Sequence, residues 1–476
     1  MLPNVLAYPV AMLGALMAGA TVVNVNPQYT TRELRHQLSD CGATTIVILR
    51  HLLPKLDEVL GDSAIRHIIS AEVGDLLKLR KKLLINTVVR FKNRGPKLKN
   101  IKHFHTFSQA IATGEQREYK AVSLSHNDIA FLQYTGGTTG LSKGAMLSHG
   151  NIIANVLQIS SFFVDQAEPG KEIVVTALPL YHIYALTFNC FCFLHYGGLV
   201  YLITDPRDVA SFIKEIRGLR FTAISGVNTL YNLLLNQPGF EEIDFSALKY
   251  ASSGGMAAQR AVAEKWQSKT NVFLGESYGL TEASPAVSSI PPGIEHFTGT
   301  VGVPLPSTEC TIRSKTGEAL PANEVGELWV RGPQVMQGYW QNDAATAEAI
   351  DGAGWLKTGD MAKMSADGMV SIVDRAKDMI IVSGFNVYPN EVEDVAAQHP
   401  DIVEVAVIGL PDDVAGEVVT LVAVSSNPAL EEQAVIDFCR QELTAYKKPT
   451  RVIFVDELPK SNVGKILRRE VREMFN

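Results

Sequence analysis

Residues 134–144 read Tyr-Thr-Gly-Gly-Thr-Thr-Gly-Leu-Ser-Lys-Gly. Glycines allow backbone N–H groups to approach an anion closely, hydroxyl groups donate hydrogen bonds to it, and the ammonium group of Lys143 adds positive charge. The spacing is not that of a Walker A loop, in which a glycine directly precedes the lysine and Ser or Thr directly follows it. The segment predicts a phosphate-binding loop, but a polar surface turn has the same composition.

The overall composition is that of a globular protein with more than one domain. The chain has 476 residues, more than one hydrophobic core usually supports. Its net charge of −7 argues against nucleic acid as a partner. The five cysteines show no CxxC pairing and no His partners at metal spacing. This pattern predicts a protein of the reducing cytoplasm that has no structural metal site.

Two apolar segments resemble membrane spans only superficially. Residues 5–23 lack the basic start of a signal peptide and run into polar asparagines, which favours an amphipathic or buried helix that enters a strand. Residues 173–204 carry no formal charge, but proline, histidine, asparagine and glycine interrupt them, which favours a buried helix and strand of an α/β domain. We therefore predict no transmembrane helix.

The order of apolar patterns predicts an α/β fold. Buried strands such as 44–49 and 199–203 alternate with helices such as 31–40, which favours parallel sheets. After about residue 301, short alternating runs predict antiparallel or barrel-like strands. We expect a large N-terminal domain of parallel α/β subdomains plus a small β-barrel-like subdomain, residues 1–374, and a small α+β C-terminal domain, residues 375–476.

A basic segment interrupts this pattern. No acidic residue occurs between Asp75 and Glu115, while lysine and arginine alternate with Leu, Ile, Val and Phe over residues 78–102. Such a segment can lie on an anionic membrane, where each basic residue contributes on the order of 1 kcal/mol. A solvated, partly disordered loop is the alternative.

Four further motifs follow the phosphate loop in the chain. They are Gly-Glu-Ser-Tyr-Gly-Leu-Thr-Glu at 275–282, Gly-Trp-Leu-Lys-Thr-Gly-Asp at 354–360, Asp-Arg-Ala-Lys-Asp at 374–378 and Pro-Lys-Ser-Asn-Val-Gly-Lys at 459–465. In this order they resemble the adenylate-forming (AMP-binding) superfamily. The resemblance runs along essentially the whole chain and is strongest to bacterial long-chain fatty acid:CoA ligases.

This resemblance implies a reaction in two half-steps. A long-chain fatty acid attacks the α-phosphate of ATP, with Mg²⁺ on the phosphates, and gives acyl-AMP and pyrophosphate. The thiol of coenzyme A then displaces AMP. The C-terminal domain is implied to be mobile and to swing about a hinge at residues 374–378 between the half-steps.

The resemblance also assigns a role to each motif residue. Lys465 bridges the fatty carboxylate and the α-phosphate, Thr281 binds the α-phosphate, and Glu282 holds Mg²⁺. The remaining contacts fall to Thr135, Gly136, Gly137, Thr138, Thr139 and Lys143 for the β- and γ-phosphates, to Gly254, Gly255, Tyr278 and Gly279 around adenine, to Asp360 and Arg375 for ribose, and to Gly384, Phe385 and Asn386 for the pantetheine arm.

The acyl pocket is less well defined by the sequence. His182 resembles a family residue at the mouth of this pocket, although a histidine in so apolar a run is commonly a satisfied core group. Apolar residues around 184–188 and 227–230 are the candidate walls. Chain length cannot be read from them, so an aryl- or medium-chain acid:CoA ligase stays an alternative.

Two other functions are compatible with parts of the sequence. An acyl-AMP ligase that loads a carrier protein often has an insertion for which residues 285–332 leave no obvious room. A non-catalytic fatty acid carrier is disfavoured by the intact Glu282, Asp360 and Lys465. We expect a cytoplasmic location, and we keep peripheral contact with the inner membrane through residues 78–102 and a homodimer each as one alternative.

The start of the chain differs from the family pattern. Relatives are expected to carry roughly 80 to 90 further residues before the position of Met1. We therefore expect a chain truncated at its N-terminus, with every motif named above retained.

Overall fold

The computed structural model describes residues 1–93, 96–135, 142–163, 166–412 and 415–475. Its helices are α1 (Ala7–Met17), α2 (Thr31–Cys41), α3 (Leu53–Asp57), α4 (Leu79–Lys92), α5 (Phe107–Glu115), α6 (His149–Phe163), α7 (Phe193–His195), α8 (Val209–Ile216), α9 (Asn228–Asn236), α10 (Arg260–Thr270), α11 (Asp343–Ala349), α12 (Pro389–Ala396), α13 (Glu432–Glu442) and α14 (Arg468–Glu473).

The strands account for most of the remaining regular structure. They are β1 (Val22–Val23), β2 (Thr45–Leu49), β3 (His67–Ala71), β4 (His105–Thr106), β5 (Ile129–Thr135), β6 (Lys143–Ser148), β7 (Ile173–Thr176), β8 (Leu199–Leu202), β9 (Ala223–Gly226), β10 (Tyr250–Gly254), β11 (Leu274–Gly279), β12 (Ala286–Ser289), β13 (Val303–Pro304), β14 (Glu309–Arg313), β15 (Gly326–Arg331), β16 (Gly338–Tyr339), β17 (Leu356–Met364), β18 (Val370–Arg375), β19 (Ile380–Val382), β20 (Phe385–Val387), β21 (Ile402–Asp412), β22 (Gly416–Ser425) and β23 (Arg451–Phe454).

The first of two structural units comprises Met1–Arg207, Thr281–Pro285 and Pro333–Glu348. One of its sheets has the order β1-β5-β6-β16, and a second pairs β2, β3 and β4 in parallel. Strands β7 and β8 also pair in parallel. Helix α2 places Leu34 and Leu38 in the core against the second sheet, where both are almost fully buried.

The second unit comprises Asp208–Leu280, Ala286–Gly332 and the chain from Ala349 onward. Strands β9, β10 and β11 are parallel, and β12 and β13 continue the sheet in antiparallel fashion. An antiparallel sheet has the order β14-β15-β17-β18. The last sheet has the order β20-β19-β22-β21, with β23 parallel to β22.

The predicted α/β class is confirmed, and the predicted strands and helices recur within a few residues of their expected bounds. The antiparallel strands predicted after residue 301 are also confirmed, as the pairs β14–β15, β15–β17 and β17–β18. Residues 185–192, predicted only as part of a buried helix, form a π-helix. Sequence periodicity does not distinguish this wider turn from an α-helix. The boundary at 374/375 and the hinge at 374–378 stay predictions.

The basic segment is helical over Leu79–Lys92, so the loop alternative is wrong for this part of it. Within the described part of the chain, no helix combines the length and the hydrophobicity needed to cross a bilayer.

A buried ionic cluster surrounds Arg468 in the second unit. The guanidinium donates to Asp374 Oδ1 at 2.8 Å and to both carboxylate oxygens of Glu393 at 2.8 and 2.7 Å, and it also contacts Asn390. The side chain of Asp374 is only 1% exposed, and burial raises the pKa of its carboxyl while Arg468 opposes the rise. The cluster therefore joins the end of β18 to α12 and α14.

We predict that Arg468→Leu lowers the free energy of unfolding by about 3–5 kcal/mol, because it leaves buried carboxylates without their counter-charge. The matched control is Arg469→Leu, since the neighbouring Arg469 is exposed and pairs with Glu473 on the surface of α14. That change should leave the free energy of unfolding close to that of the wild type, because an exposed ion pair contributes little. Urea unfolding of both variants checks the prediction, and equal losses would contradict it.

Candidate functional site

The phosphate loop connects two paired strands in the first unit. Thr135 ends β5, Lys143 begins β6, and the two residues are partners in the antiparallel register. The predicted ligands Gly136, Gly137, Thr138 and Thr139 lie outside the described residues. The structure therefore places the two ends of the loop next to each other, and it leaves the intervening assignments as predictions.

Glu282 lies in a short 3₁₀-helix, Thr281–Ala283, in the same unit. Its Oε1 atom accepts hydrogen bonds from the hydroxyl of Tyr339 at 2.8 Å and from Thr135 Oγ1 at 3.5 Å. Its backbone carbonyl accepts from the N–H of Met336 at 2.8 Å. The structure thus brings together Thr135 and Glu282, which are far apart in the sequence.

Tyr339 is a member of this group that the sequence did not indicate. Strand β16 pairs with β6 so that Tyr339 is opposite Ala145, which places its ring beside the start of β6. The ammonium group of Lys143 lies 4.6 Å from the centroid of this ring, a cation–π distance. Burial, and then the negative charge of Glu282, raise the pKa of the Tyr339 phenol, so the phenol remains a hydrogen-bond donor.

The donor set around Glu282 fits Mg²⁺. In the described residues, no group of three or more His, Cys, Asp and Glu side chains could hold a metal ion on its own. Mg²⁺ is commonly held by one or two carboxylates and completes its shell with phosphate oxygens and water. A single carboxylate beside the ends of a phosphate loop matches that requirement.

His182 and Thr281 begin helical turns in the first unit. The carbonyl of His182 accepts from the N–H of Leu186 at 3.0 Å, just before the π-helix Ala185–Cys192. Its Nδ1 atom lies 3.4 Å from the N–H of Tyr184. The carbonyl of Thr281 accepts from the N–H of Ser284 at 3.2 Å. The catalytic roles of both residues stay predictions.

Asp360 is the centre of the candidate site in the second unit. Its Oδ2 atom accepts from the hydroxyl of Tyr278 at 2.6 Å, and its Oδ1 atom lies 3.1 Å from Nε of Arg375. Strand pairing makes Asp360 and Arg375 register partners. Burial, and then the charge of Asp360, raise the pKa of the Tyr278 phenol well above its ordinary value. A carboxylate has about four acceptor positions, so Asp360 retains capacity for further donors.

The glycines assigned to adenine lie close to Tyr278. Gly254 ends β10 and is the register partner of Ser277 on β11, and Gly279 ends β11. Gly255 has a φ of +82°, a conformation that favours glycine. The pair 254–255 therefore presents backbone without side chains next to the strand that carries Tyr278.

Lys465 belongs to the same group of side chains as Asp360 and Arg375. Its side chain is partly buried, and burial lowers the pKa of its ammonium from 10.5 to about 8, with Arg375 adding to the decrease and Asp360 opposing it. The sequence motifs at 275–282, 354–360, 374–378 and 459–465 thus converge on Tyr278, Asp360, Arg375 and Lys465.

The residues assigned to coenzyme A lie in the β19–β20 hairpin. Gly384 has a φ of +84° in its turn, and Asn386 pairs with Ile381. The ring of Phe385 is 56% exposed and stacks on Tyr446 with centroids 4.9 Å apart. The pair offers an exposed apolar surface, and the coenzyme assignment stays a prediction.

Thr229, which the sequence placed among the acyl-pocket walls, has a polar contact. Its hydroxyl donates to the carbonyl oxygen of Gly464 at 2.7 Å. Like the contact of Tyr339 with Glu282, this one joins residues far apart in the chain, and no local pattern marks it.

Residues 1–340 match the family model described as AMP-binding enzyme, and residues 391–465 match the model described as AMP-binding enzyme C-terminal domain. The chain belongs to the AMP-binding enzyme family. The resemblance drawn from the motifs is therefore confirmed. Enzymes of this family use ATP, and its acyl-CoA ligases also use coenzyme A.

Similar proteins agree with this membership. The long-chain-fatty-acid–CoA ligase of Escherichia coli O6:H1 is 50% identical over 473 residues, 99% of this chain and 84% of the relative. The 4-coumarate–CoA ligase 2 of Nicotiana tabacum is 32% identical over 486 residues, 99% of this chain and 83% of the relative. The crystal structure of ATP-bound MatB from Rhodopseudomonas palustris has a TM-score of 0.82 at 27% identity, covering 98% of this chain and 86% of MatB.

We predict that Asp360→Asn raises the Kd for ATP roughly tenfold or more, because hydrogen bonds to a charged acceptor are stronger than those to a neutral one. Isothermal titration calorimetry measures the change. Asp367→Asn is the control, since Asp367 is exposed in the turn between β17 and β18 and bonds Ser365. Unchanged ATP affinity in Asp360→Asn would exclude the ribose assignment.

Proposed function

We propose that the protein is an ATP-dependent long-chain fatty acid:CoA ligase that forms acyl-AMP and then acyl-CoA. The observation that carries the proposal is the position of Lys465, partly buried beside Asp360 and Arg375. The 50% identity to long-chain-fatty-acid–CoA ligases supports the choice of substrate. The 32% identity to a 4-coumarate–CoA ligase makes an aryl acid the weaker alternative.

In the first half-step Lys465 reduces the repulsion between two anions. A carboxylate oxygen of the fatty acid attacks the α-phosphorus of ATP. The bond between this phosphorus and the oxygen that bridges the α- and β-phosphates breaks, and pyrophosphate leaves. An ammonium held between the two groups stabilises the charge that develops, and its effect is larger in a partly buried position than in water. A pKa of about 8 leaves Lys465 mainly charged near pH 7. Thr281 donates to the α-phosphate.

The groups around Glu282 handle the polyphosphate. Lys143 and Thr135 contact the β- and γ-phosphates together with Gly136, Gly137, Thr138 and Thr139. Bound Mg²⁺ would neutralise phosphate charge, and Glu282 would hold it. Tyr339 orients the Glu282 carboxylate through its hydrogen bond, and its ring holds the ammonium of Lys143.

Asp360 and its partners bind the nucleoside. The carboxylate accepts from the ribose hydroxyls, and Arg375 reaches the same sugar. Tyr278 is fixed by its bond to Asp360, so that its ring and the backbone of Gly254, Gly255 and Gly279 lie beside adenine. His182 lies at the mouth of the acyl pocket.

In the second half-step the C-terminal domain, residues 375–476, rotates about the hinge at 374–378. The segment Gly384-Phe385-Asn386 then guides the pantetheine arm, for which the exposed Phe385 and Tyr446 rings offer an apolar surface. The sulfur attacks the acyl carbonyl carbon, the carbon–oxygen bond to AMP breaks, and the thiol proton passes to solvent.

The test of this function is formation of palmitoyl-CoA, AMP and pyrophosphate from palmitate, ATP, Mg²⁺ and coenzyme A. We expect product from the chain and a loss of about a hundredfold or more in Lys465→Ala. Lys465→Ala should still convert preformed palmitoyl-AMP to palmitoyl-CoA. Faster turnover of 4-coumarate than of palmitate would support the aryl-acid alternative instead.

The pKa of Lys465 predicts the pH dependence of the first half-step. Since the pKa is lowered to about 8, the ammonium is charged below this pH and loses its proton as the pH rises through it. The kcat/KM for palmitoyl-AMP formation should therefore fall above about pH 8. The Lys465→Arg enzyme should have a lower kcat/KM. Its kcat/KM should not change with pH up to at least about pH 9, because a guanidinium stays charged. A wild-type profile without this fall would contradict the role of Lys465.

We also propose that α4 makes peripheral contact with the cytoplasmic face of an anionic membrane. Leu84, Val88 and Phe91 follow one another at helical spacing and are 67%, 44% and 71% exposed. The opposite side of the helix carries Lys82, which pairs with Asp75, and the buried Asn86. Further basic groups are close in sequence: Lys78, Arg80, Lys81 and Lys92.

We predict that Leu84→Ser with Phe91→Ser reduces binding to phosphatidylglycerol-rich vesicles at least tenfold, because each side chain removed takes away apolar area that would enter the lipid. Ile153→Ser with Leu157→Ser on α6 is the control, since these residues are 47% and 53% exposed. Vesicle sedimentation should also show weaker binding to phosphatidylcholine and at high salt. Equal binding by both double variants would exclude α4 as the contact.

A further inference from the structure

The turn that carries Lys465 is attached directly to helix α9. The hydroxyl of Thr229, in the first turn of α9, donates to the carbonyl oxygen of Gly464 at 2.7 Å. Thr229 is 4% exposed, so water competes little for this bond. Gly464 immediately precedes Lys465, and both partners lie in the second unit.

Three hydrogen bonds hold the turn formed by residues 461–465. The N–H of Ser461 donates to the carbonyl of Lys465 at 2.7 Å, the N–H of Gly464 donates to the carbonyl of Ser461 at 2.9 Å, and the N–H of Lys465 donates to Ser461 Oγ at 3.1 Å. Because these bonds fix residues 461–465 as one body, a group that holds Gly464 also sets the position of the Lys465 backbone.

The fit between the turn and α9 is close. Gly464 has a φ of +81°, and a Cβ atom at this position would lie 3.0 Å from Thr229 Oγ1 and 3.3 Å from Cγ2 of Val227. The positive φ and the short distances both require glycine here. The peptide therefore lies against the start of α9 with no side chain between them.

Two other bonds connect the segment 375–476 with this region. Asn232 donates through Nδ2 to the carbonyl of Val403 at 2.7 Å, and the N–H of Arg260 donates to Asp394 Oδ1 at 3.1 Å. Neither bond touches the turn at 461–465. Of these three contacts, the one made by Thr229 is the one that acts next to Lys465.

We propose that Thr229 is a positioning residue for Lys465 that holds the 461–465 turn in place while acyl-AMP forms. The inference rests on the proposed function, because it assumes that Lys465 serves the first half-step. It assigns Thr229 no contact with a substrate. The second half-step, in which residues 375–476 rotate, does not need the bond to Gly464.

The test is the rate of each half-step in Thr229→Val, which keeps the shape of the side chain and removes the hydroxyl. We expect palmitoyl-AMP formation to slow about three- to tenfold, in line with the loss of one neutral hydrogen bond. Conversion of preformed palmitoyl-AMP to palmitoyl-CoA should stay within about twofold of wild type. Thr229→Ser should restore the first half-step, and Thr229→Val should add no further loss to Lys465→Ala.

Thr270→Val is the matched control. Thr270 is also buried, at 6% exposure, and its hydroxyl donates to the carbonyl of Trp266 at 2.9 Å in the same unit. This variant should leave the ratio of the two half-step rates unchanged. Equal slowing of both half-steps in Thr229→Val, or a KM change that depends on acyl chain length, would overturn the proposal in favour of a structural or acyl-pocket role.

A second measurement does not depend on activity. Hydrogen–deuterium exchange of the full chain should be faster over residues 461–465 in Thr229→Val than in wild type or Thr270→Val. Unchanged exchange there would overturn the proposal. Absence of palmitoyl-AMP from the wild-type enzyme would instead refute the proposed function, so the two failures are separate.

Discussion

The guanidinium of Arg468 supports the geometry of the second unit's site. Asp374 is almost completely buried at the end of β18, and without a counter-charge the cost of burying its carboxylate would be several kcal/mol. Arg468 supplies that charge and also binds Glu393 and Asn390 of α12. Because Arg375 follows Asp374 directly and its N–H donates to the same carboxylate at 2.7 Å, the cluster fixes the backbone from which Arg375 reaches Asp360. The arrangement of the groups proposed to bind ribose thus depends on an ion pair that contacts no nucleotide in the proposed mechanism.

Burial and neighbouring charge act on Lys465 differently from the way they act on Asp374, because a neighbouring cation disfavours the charged form of Lys465. Its ammonium is partly desolvated and near Arg375, and both effects favour the neutral form, while Asp360 favours the charged form. The resulting pKa of about 8 keeps the charge in the neutral pH range and leaves it weakly solvated. A weakly solvated cation interacts more strongly with an incoming anion than one in bulk water does. The partial burial that costs free energy by desolvating the Lys465 ammonium therefore also strengthens its interaction with the anions in the proposed reaction.

Local patterns predicted most of the fold and the motif part of the site. Strands such as β2 and helices such as α2 have apolar spacing that identifies them without any partner, and Asp360, Arg375 and Lys465 lie in motifs whose order identified the family. The contacts of Tyr339, Thr229 and Arg468 escaped prediction because each joins a residue distant in the chain: Glu282, Gly464 and Asp374. Such contacts follow from strand register and packing, which a single sequence does not determine. The π-helix was missed for a different reason, since its residues have the same apolar pattern as a buried α-helix.

The contacts of segment 375–476 differ in strength according to their position. Those next to the predicted hinge belong to the Arg468 cluster, in which one cation pairs with the carboxylates of Asp374, Asp378 and Glu393. Those farther along the segment are single hydrogen bonds: Thr229 to Gly464, Asn232 to Val403 and Arg260 to Asp394. Each such bond contributes roughly 0.5–3 kcal/mol, so together they favour one arrangement by an amount that ligand binding can offset. Strong contacts at the predicted hinge and weak ones at a distance suit the proposed rotation, in which the segment holds Lys465 in one half-step and releases it in the next. Breaking a buried ion pair costs more than breaking a single hydrogen bond, so buried ionic contacts at these distant positions would oppose the proposed release of Lys465 more strongly.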